Sequence, residues 1–293
     1  WQGQSGRSGL PWQGQKDPYR VWLSEIMLQQ TQVQTVCERY RIFLERYPHL
    51  ASLAQASEED VMALWAGLGY YTRARNLLRC AQQIQQKYGG EFPQDALTLA
   101  TLPGIGKSTA AAIAAFCFLE RTSILDANVK RLFARLYGIS EPLNLTKTNQ
   151  QLWGIAQRAL PASKTDMPQY TQGLMDFGAT VCTARKAHCE VCPVLAQCVW
   201  KGGANGDVDP AKASAFTSKP QAKFAGSDRQ ARGKLMKALT VGAVAPERLA
   251  GVMEITDVER ALRLAQALVN EGLVEYSAMG YRMPSAMQTI KQK

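Results

Sequence analysis

From about Val21 to Ile155 apolar residues recur every three or four positions, and no alternating apolar–polar run is long enough to build a sheet. That spacing predicts helices over 20–31, 34–46, 58–66, 71–88, 96–100, 107–118, 127–138 and 147–160, broken by Pro48, Gly89-Gly90 and Pro103-Gly104. Residues 201–227 (KGGANGDVDPAKASAFTSKPQAKFAGS) lose all periodicity and are rich in Gly, Ala, Ser, Pro and Lys, so a linker is expected there. Helical patterns return at 229–240, 245–253 and 257–271. Leu273 to Tyr276, a Ser-Ala-Met-Gly turn and Tyr281 to Met283 then predict a β-hairpin. Three helices and a hairpin fit a winged-helix module over 228–285, followed by a tail at 286–293. The fold class is all-α with this small C-terminal addition.

Composition changes the picture only in part. At 46% apolar residues the 293-residue chain has ample material for a core. The best apolar stretch, Ala110 to Leu119, falls well short of the ~20 residues a membrane helix needs, so no membrane association is expected. No secretion signal is visible, and a cytoplasmic setting, bacterial and close to the nucleoid, is expected. The chain starts at Trp1 and not Met, so residues are expected to precede it. Thirty-four Lys and Arg against 24 Asp and Glu leave a net charge of +10, which suits a polyanion whose phosphates release counterions on binding.

Four of the seven cysteines are closely spaced as Cys182-x6-Cys189-x2-Cys192-x5-Cys198. Four thiolates in so short a loop can converge on one centre, either tetrahedral zinc or an iron–sulfur cluster, and the spacing alone serves both. Cys37, Cys80 and Cys117 are scattered through helical patterns and read as core thiols. LPGIGKSTA, at 102–110, is a Gly-rich turn entering a helix, where absent Cβ atoms and free amides let a phosphate approach. Asp126 stands at a helix start, where it either caps the helix or does chemistry. Glu25 sits among apolar residues on a helix, either on its polar face, which periodicity favours, or buried with a raised pKa.

Together, a helix-hairpin-helix turn, an Asp shortly after it and the four-cysteine loop resemble the endonuclease III superfamily of DNA glycosylases. LPW at 10–12, WLSEIMLQQTQV at 22–33, GLGYYTRARNL at 67–77 and ILDANVKRL at 124–132 are similar, more narrowly, to the adenine DNA glycosylase (MutY) family. The resemblance runs from Leu10 to Val199. It implies a six-helix barrel (21–126) and an iron–sulfur domain (1–20 with 127–200). It implies Glu25 as the catalytic acid, Asp126 as the second catalytic carboxylate, and the four cysteines as ligands of a [4Fe–4S] cluster. Gln30 matches a wedge into the base stack, Tyr70 an aromatic beside 8-oxoguanine, and Trp12 and Gln172 the adenine pocket. Leu102, Gly104, Gly106, Ser108, Asn128 and Lys130 match DNA-contacting positions.

The implied activity is removal of adenine mispaired with 8-oxoguanine or guanine in double-stranded DNA, by a monomer. Ser108 bears on the reaction type. In the bifunctional branch that position is a lysine whose amine forms a Schiff base, which a hydroxyl cannot do, so a monofunctional enzyme is expected. Most of the family carries a C-terminal Nudix-like β domain, and residues 228–293 are too short and too helical to be one. Two alternatives remain: a bifunctional lyase acting on oxidised pyrimidines, and a non-catalytic DNA-binding iron–sulfur protein.

Overall fold

The computed structural model describes residues 1–143, 145–204, 206–213 and 224–284. The expected tail and the middle of the expected linker lie outside them. In chain order the helices are α1 (Gln2–Ser5), α2 (Pro18–Leu28), α3 (Val33–Arg46), α4 (Leu50–Ala54), α5 (Glu58–Trp65), α6 (Thr72–Tyr88), α7 (Ala96–Leu99) and α8 (Lys107–Phe118). They continue with α9 (Ala127–Tyr137), α10 (Thr146–Arg158), α11 (Met167–Thr180), α12 (Pro210–Ala213), α13 (Asp228–Leu239), α14 (Leu249–Met253) and α15 (Val258–Asn270), ahead of the strands β1 (Glu275–Ser277) and β2 (Gly280–Arg282). The chain is helix-rich, as its periodicity requires. It divides into two compact units, residues 1–25 with 92–219, and residues 26–91 with 220–293.

In the first unit, α8 buries Ala110, Ala111, Ala112, Ile113, Ala114 and Ala115, small side chains that let α7 and α11 pack closely on it. The buried stripe of α9, Val129, Leu132 and Phe133, joins Leu152, Ile155 and Ala156 of α10 and Leu174 and Phe177 of α11 in one core. The α9–α11 crossing is close at Gly178: a Cβ there would lie 2.8 Å from that of Asn128. Arg131 also links the two helices, donating to the carbonyls of Gly178 (2.6 Å) and Cys182 (3.0 Å). The N-terminal segment is held by Asp176, fully buried on α11. Its carboxylate accepts from Arg7 Nε (2.8 Å) and the Arg7 amide (3.1 Å), and Trp1 stands edge-on to Phe177.

In the second unit, α6 presents Ala74, Leu77, Leu78, Cys80, Ala81 and Ile84 to α4 and α5 and ends on Gly89, whose φ of 63° is the usual left-handed helix stop. The three helices α13, α14 and α15 pack around Leu235, Leu239, Leu249, Leu264 and Leu268. The hairpin pairs Glu275 with Arg282, Tyr276 with Tyr281 and Ser277 with Gly280. Tyr281 also bridges to Val244, giving the wing a third edge. Only glycine fits at 280, where φ is 102° and a Cβ would sit 2.5 Å from the Val244 carbonyl oxygen. Arg75 of α6 donates to the carbonyls of Glu271 (2.7 Å) and Gly272, neutralising the carbonyl end of α15.

Candidate active site

Helix α2 begins at Pro18, a residue suited to the first helical turn, with Asp17 accepting from the Tyr19 amide (2.9 Å). It buries Tyr19, Val21, Trp22 and Leu23, and Trp22 stands edge-on to Phe92. Glu25 follows on this helix, partly accessible yet densely surrounded. Burial first, and then the charge of Asp126, push its carboxyl from 4.5 up to about 8. The Cys117 thiol lies in the same field, raised to about 12 by burial and then by Asp17 and Glu25. Asp126 is the N-cap of α9, its Oδ1 accepting from the Val129 amide at 2.8 Å. One carboxyl is thus a stored proton at neutral pH, and a second lies close enough to help keep it there.

The Gly-rich turn belongs to the same unit. Leu102 is buried beneath it, Gly104 takes a φ of 77°, and Gly106 is the N-cap of α8. Ser108 Oγ accepts from the Leu125 amide at 3.0 Å, so the hydroxyl steadies the backbone that delivers Asp126. The Lys107 ammonium lies 3.9 Å from the centre of the Trp153 ring. Lys130 is half-buried, Asn128 packs against Gly178, Trp12 is largely buried, and Gln172 donates to Asp176 (2.8 Å).

Gln30 and Tyr70 both belong to the second unit, and both are non-glycine residues with left-handed backbones, at φ 56° and 50°. Such positions cost about 1–3 kcal/mol and persist where neighbours hold them. The holding group is one that motif reading does not single out. Arg73 Nη1 donates to the carbonyls of Ile26 (2.8 Å) and Met27 (3.0 Å), the otherwise unpaired end of α2. Its Nη2 reaches the carbonyls of Leu68 (2.9 Å) and Gly69 (3.2 Å) and the Thr31 hydroxyl (3.0 Å). The guanidinium lies 5.4 and 5.5 Å from the Trp65 and Tyr70 ring centres. Burial lowers Arg73 to about 10, which leaves it cationic at neutral pH.

The four cysteines line one small apolar cavity with Leu132, Arg135, Leu136, Phe177, Val181, Val194 and Trp200. Among the described residues no three Cys, His, Asp or Glu side chains are grouped so as to hold a single metal ion. The four thiols border one shared space. Burial and then the neighbouring thiols raise Cys189 and Cys192, so four thiolates here need a cationic centre to offset their repulsion. Arg135 closes one side, donating to Asp209 (3.0 and 2.8 Å), to the Thr183 carbonyl (2.7 Å) and to Cys182 Sγ (3.4 Å), and it stacks on Trp200 at 4.8 Å. Asp209 falls within the stretch expected to be a linker, yet residues 210–213 form a helical turn packed on α9. Asp209→Ala strands a nearly fully buried guanidinium, and a loss of about 3–5 kcal/mol is expected in denaturant unfolding; a change under about 1 kcal/mol would mean that water replaces the carboxylate at no cost.

Residues 23–158 match the model of the HhH-GPD superfamily of base excision DNA repair proteins. The adenine DNA glycosylase of Mycolicibacterium smegmatis is 35% identical over 277 residues, covering 94% of this chain and 90% of its own. The chain belongs to the adenine DNA glycosylase family. It is 43% identical to the Buchnera aphidicola (subsp. Acyrthosiphon pisum) adenine DNA glycosylase over 199 residues, 68% of this chain and 56% of that protein. The chain spans a little over half the length of the three Buchnera members it matches. Among solved structures, a thermostable thymine-DNA glycosylase superposes with a TM-score of 0.61 at 29% identity, over 67% of this chain and 90% of its own. The match to most of the mycobacterial relative extends the likeness beyond Val199.

Proposed function

We propose that this chain removes adenine mispaired with 8-oxoguanine or guanine from double-stranded DNA, acting as a monofunctional glycosylase that leaves an abasic site. The observation that carries this function is the Glu25 carboxyl, still protonated up to about pH 8, in the field of Asp126. The target adenine leaves the stack first, because the bond to be cut is inaccessible within a duplex. Glu25 gives its proton to adenine N7, and the electron pair of the N9–C1′ bond departs with the base. Asp126 stabilises the positive charge left on the sugar. Water then adds to C1′, and its proton returns to the Glu25 carboxylate. Ser108 has no amine, and its hydroxyl is engaged with the Leu125 amide, so no Schiff base forms at that position.

Gln30 and Tyr70 enter the duplex, the hairpin 102–108 with Asn128 and Lys130 grips its backbone, and Trp12 and Gln172 border the pocket for the flipped base. Cys182, Cys189, Cys192 and Cys198 would hold a [4Fe–4S] cluster, which would cross-link the 182–198 loop. The enzyme works as a monomer in the cytoplasm. Among the described residues no helix is long and apolar enough to cross a membrane. The purified protein is expected to be brown and to contain iron and inorganic sulfide, and Cys192→Ser to lose both; an active, colourless, zinc-loaded protein would exclude the cluster.

The deciding experiment is single-turnover incubation with duplexes carrying A opposite 8-oxoguanine, A opposite G, or thymine glycol, developed with and without alkali. Alkali-dependent cleavage of the two adenine substrates is expected. Strand cleavage at thymine glycol without alkali would favour a bifunctional enzyme, and no cleavage of any substrate a non-catalytic protein.

A further inference from the structure

Arg73 joins two loops that are remote in sequence and that hold the two residues assigned to the duplex interior. On one side its guanidinium takes the carbonyls of Ile26 and Met27 and the Thr31 hydroxyl, bracketing Gln30. On the other it takes the carbonyls of Leu68 and Gly69, immediately before Tyr70, and lies 5.5 Å from the Tyr70 ring. Thr31 Oγ1 also reaches the Leu68 carbonyl at 3.4 Å, and Trp65 Nε1 donates to the Gly69 carbonyl at 3.1 Å. Among the described residues, Gln30 and Tyr70 are two of the five non-glycine residues with positive φ, and they are the two this network brackets. A planar fork is needed for such bridging, because an ammonium is a point donor on a flexible stem.

We propose that Arg73 is a positioning residue, which holds the Gln30 and Tyr70 backbones in the conformations from which their side chains enter the base stack, so that base extrusion depends on it and proton transfer does not. This rests on the assignment of Gln30 and Tyr70 to the duplex interior. A rigid double loop lets both side chains arrive together, and freeing either loop lets the residue relax out of the left-handed region. A displacement of about 1 Å at such a site costs on the order of 100-fold in rate.

The test separates extrusion from chemistry. In a Glu25→Gln background, 2-aminopurine placed opposite 8-oxoguanine brightens when it leaves the stack. Adding Arg73→Gln is expected to remove most of that rise while binding to undamaged duplex stays within a few-fold. With Glu25 intact, Arg73→Gln is expected to slow single-turnover adenine removal about 100-fold, and Arg73→Lys not to restore it. Thr31→Val, which removes one link and leaves the guanidinium paired, is expected to lower the fluorescence rise partially at an unchanged melting temperature. It keeps the proposal testable if Arg73→Gln does not fold.

A purely structural arginine would lower the melting temperature and leave the fluorescence rise per bound enzyme unchanged, which would overturn the proposal. Folded Arg73 and Thr31 variants that keep the full rise, while Gln30→Ala and Tyr70→Ala lose it, would overturn it too. If Gln30→Ala and Tyr70→Ala themselves keep it, the assignment of these residues to the duplex interior fails, and the positioning role with it.

Discussion

Glu25→Gln is expected to bind an A:8-oxoguanine duplex as tightly as the wild type and to excise adenine at least about 100-fold more slowly, the lower range for losing a general acid. The amide keeps the shape of the carboxyl and has no proton to give. A pH profile adds a sharper signature. Because the carboxyl is raised from 4.5 to about 8, it is protonated through the neutral range, and the wild-type rate should be level below about pH 7 and fall as pH rises through about 8. The residual rate of the variant should lack that alkaline limb. Stability follows the same proton. A folded-state pKa above the unfolded one means that the native state holds the proton more tightly. The contribution is fully present below pH 4.5 and is lost as pH climbs through about 8. Glu25→Gln removes that dependence, so the variant should melt at or above the wild-type temperature near pH 9. Slow excision by a variant that is at least as stable as the wild type near pH 9 identifies the acid. A variant within about tenfold of the wild type would remove Glu25 from that role.

What is legible in the sequence is what short-range periodicity encodes. Helices α3, α5, α6 and α9 begin and end within about two residues of the expected bounds, because each has an apolar stripe and a Gly or Pro shortly after it. Helix α11 is absent from the expected set. It carries Pro168, Gly173 and Gly178, and two of its buried positions are Thr171 and Asp176, polar residues that blur the stripe. Gly178 allows the close approach of Asn128 and Asp176 holds Arg7, contacts that no local pattern reveals. Glu25 shows the same limit, since periodicity favours an exposed face, whereas burial raises its carboxyl and the charge of Asp126, distant in sequence, adds to the rise. Arg232 pairs with Glu271 (2.5 Å), Arg260 with Asp228 and Lys234 with Glu254, so much of the C-terminal module's positive charge is already matched within it. Arg73, in contrast, stands in plain view inside GLGYYTRARNL, and only its five acceptors distinguish it from the other arginine of that motif.

Asp126 poses the sharpest choice between a structural and a chemical role, because its cap on α9 is fully formed at 2.8 Å from the Val129 amide. Asparagine caps helices about as well as aspartate, whereas alanine costs about 1 kcal/mol. Asp126→Asn should therefore melt close to the wild type, and Asp126→Ala a few degrees lower. If the side chain were only a cap, Asp126→Asn would be nearly fully active. A carboxylate that stabilises a sugar cation has no neutral substitute, and losing such preorganised charge costs about 10²–10³ in rate. Both variants are thus expected to lose adenine excision alike, despite their different stabilities. Charge coupling supplies a second readout. After burial, the charge of Asp126 helps raise the Glu25 carboxyl, so neutralising it lowers that pKa and moves the alkaline limb of the residual activity to lower pH. A cap acting through structure alone predicts no such movement in Asp126→Asn. Near-wild-type excision by this variant, with an unmoved limb, would return Asp126 to the role of helix cap and leave the sugar cation without its counter-charge.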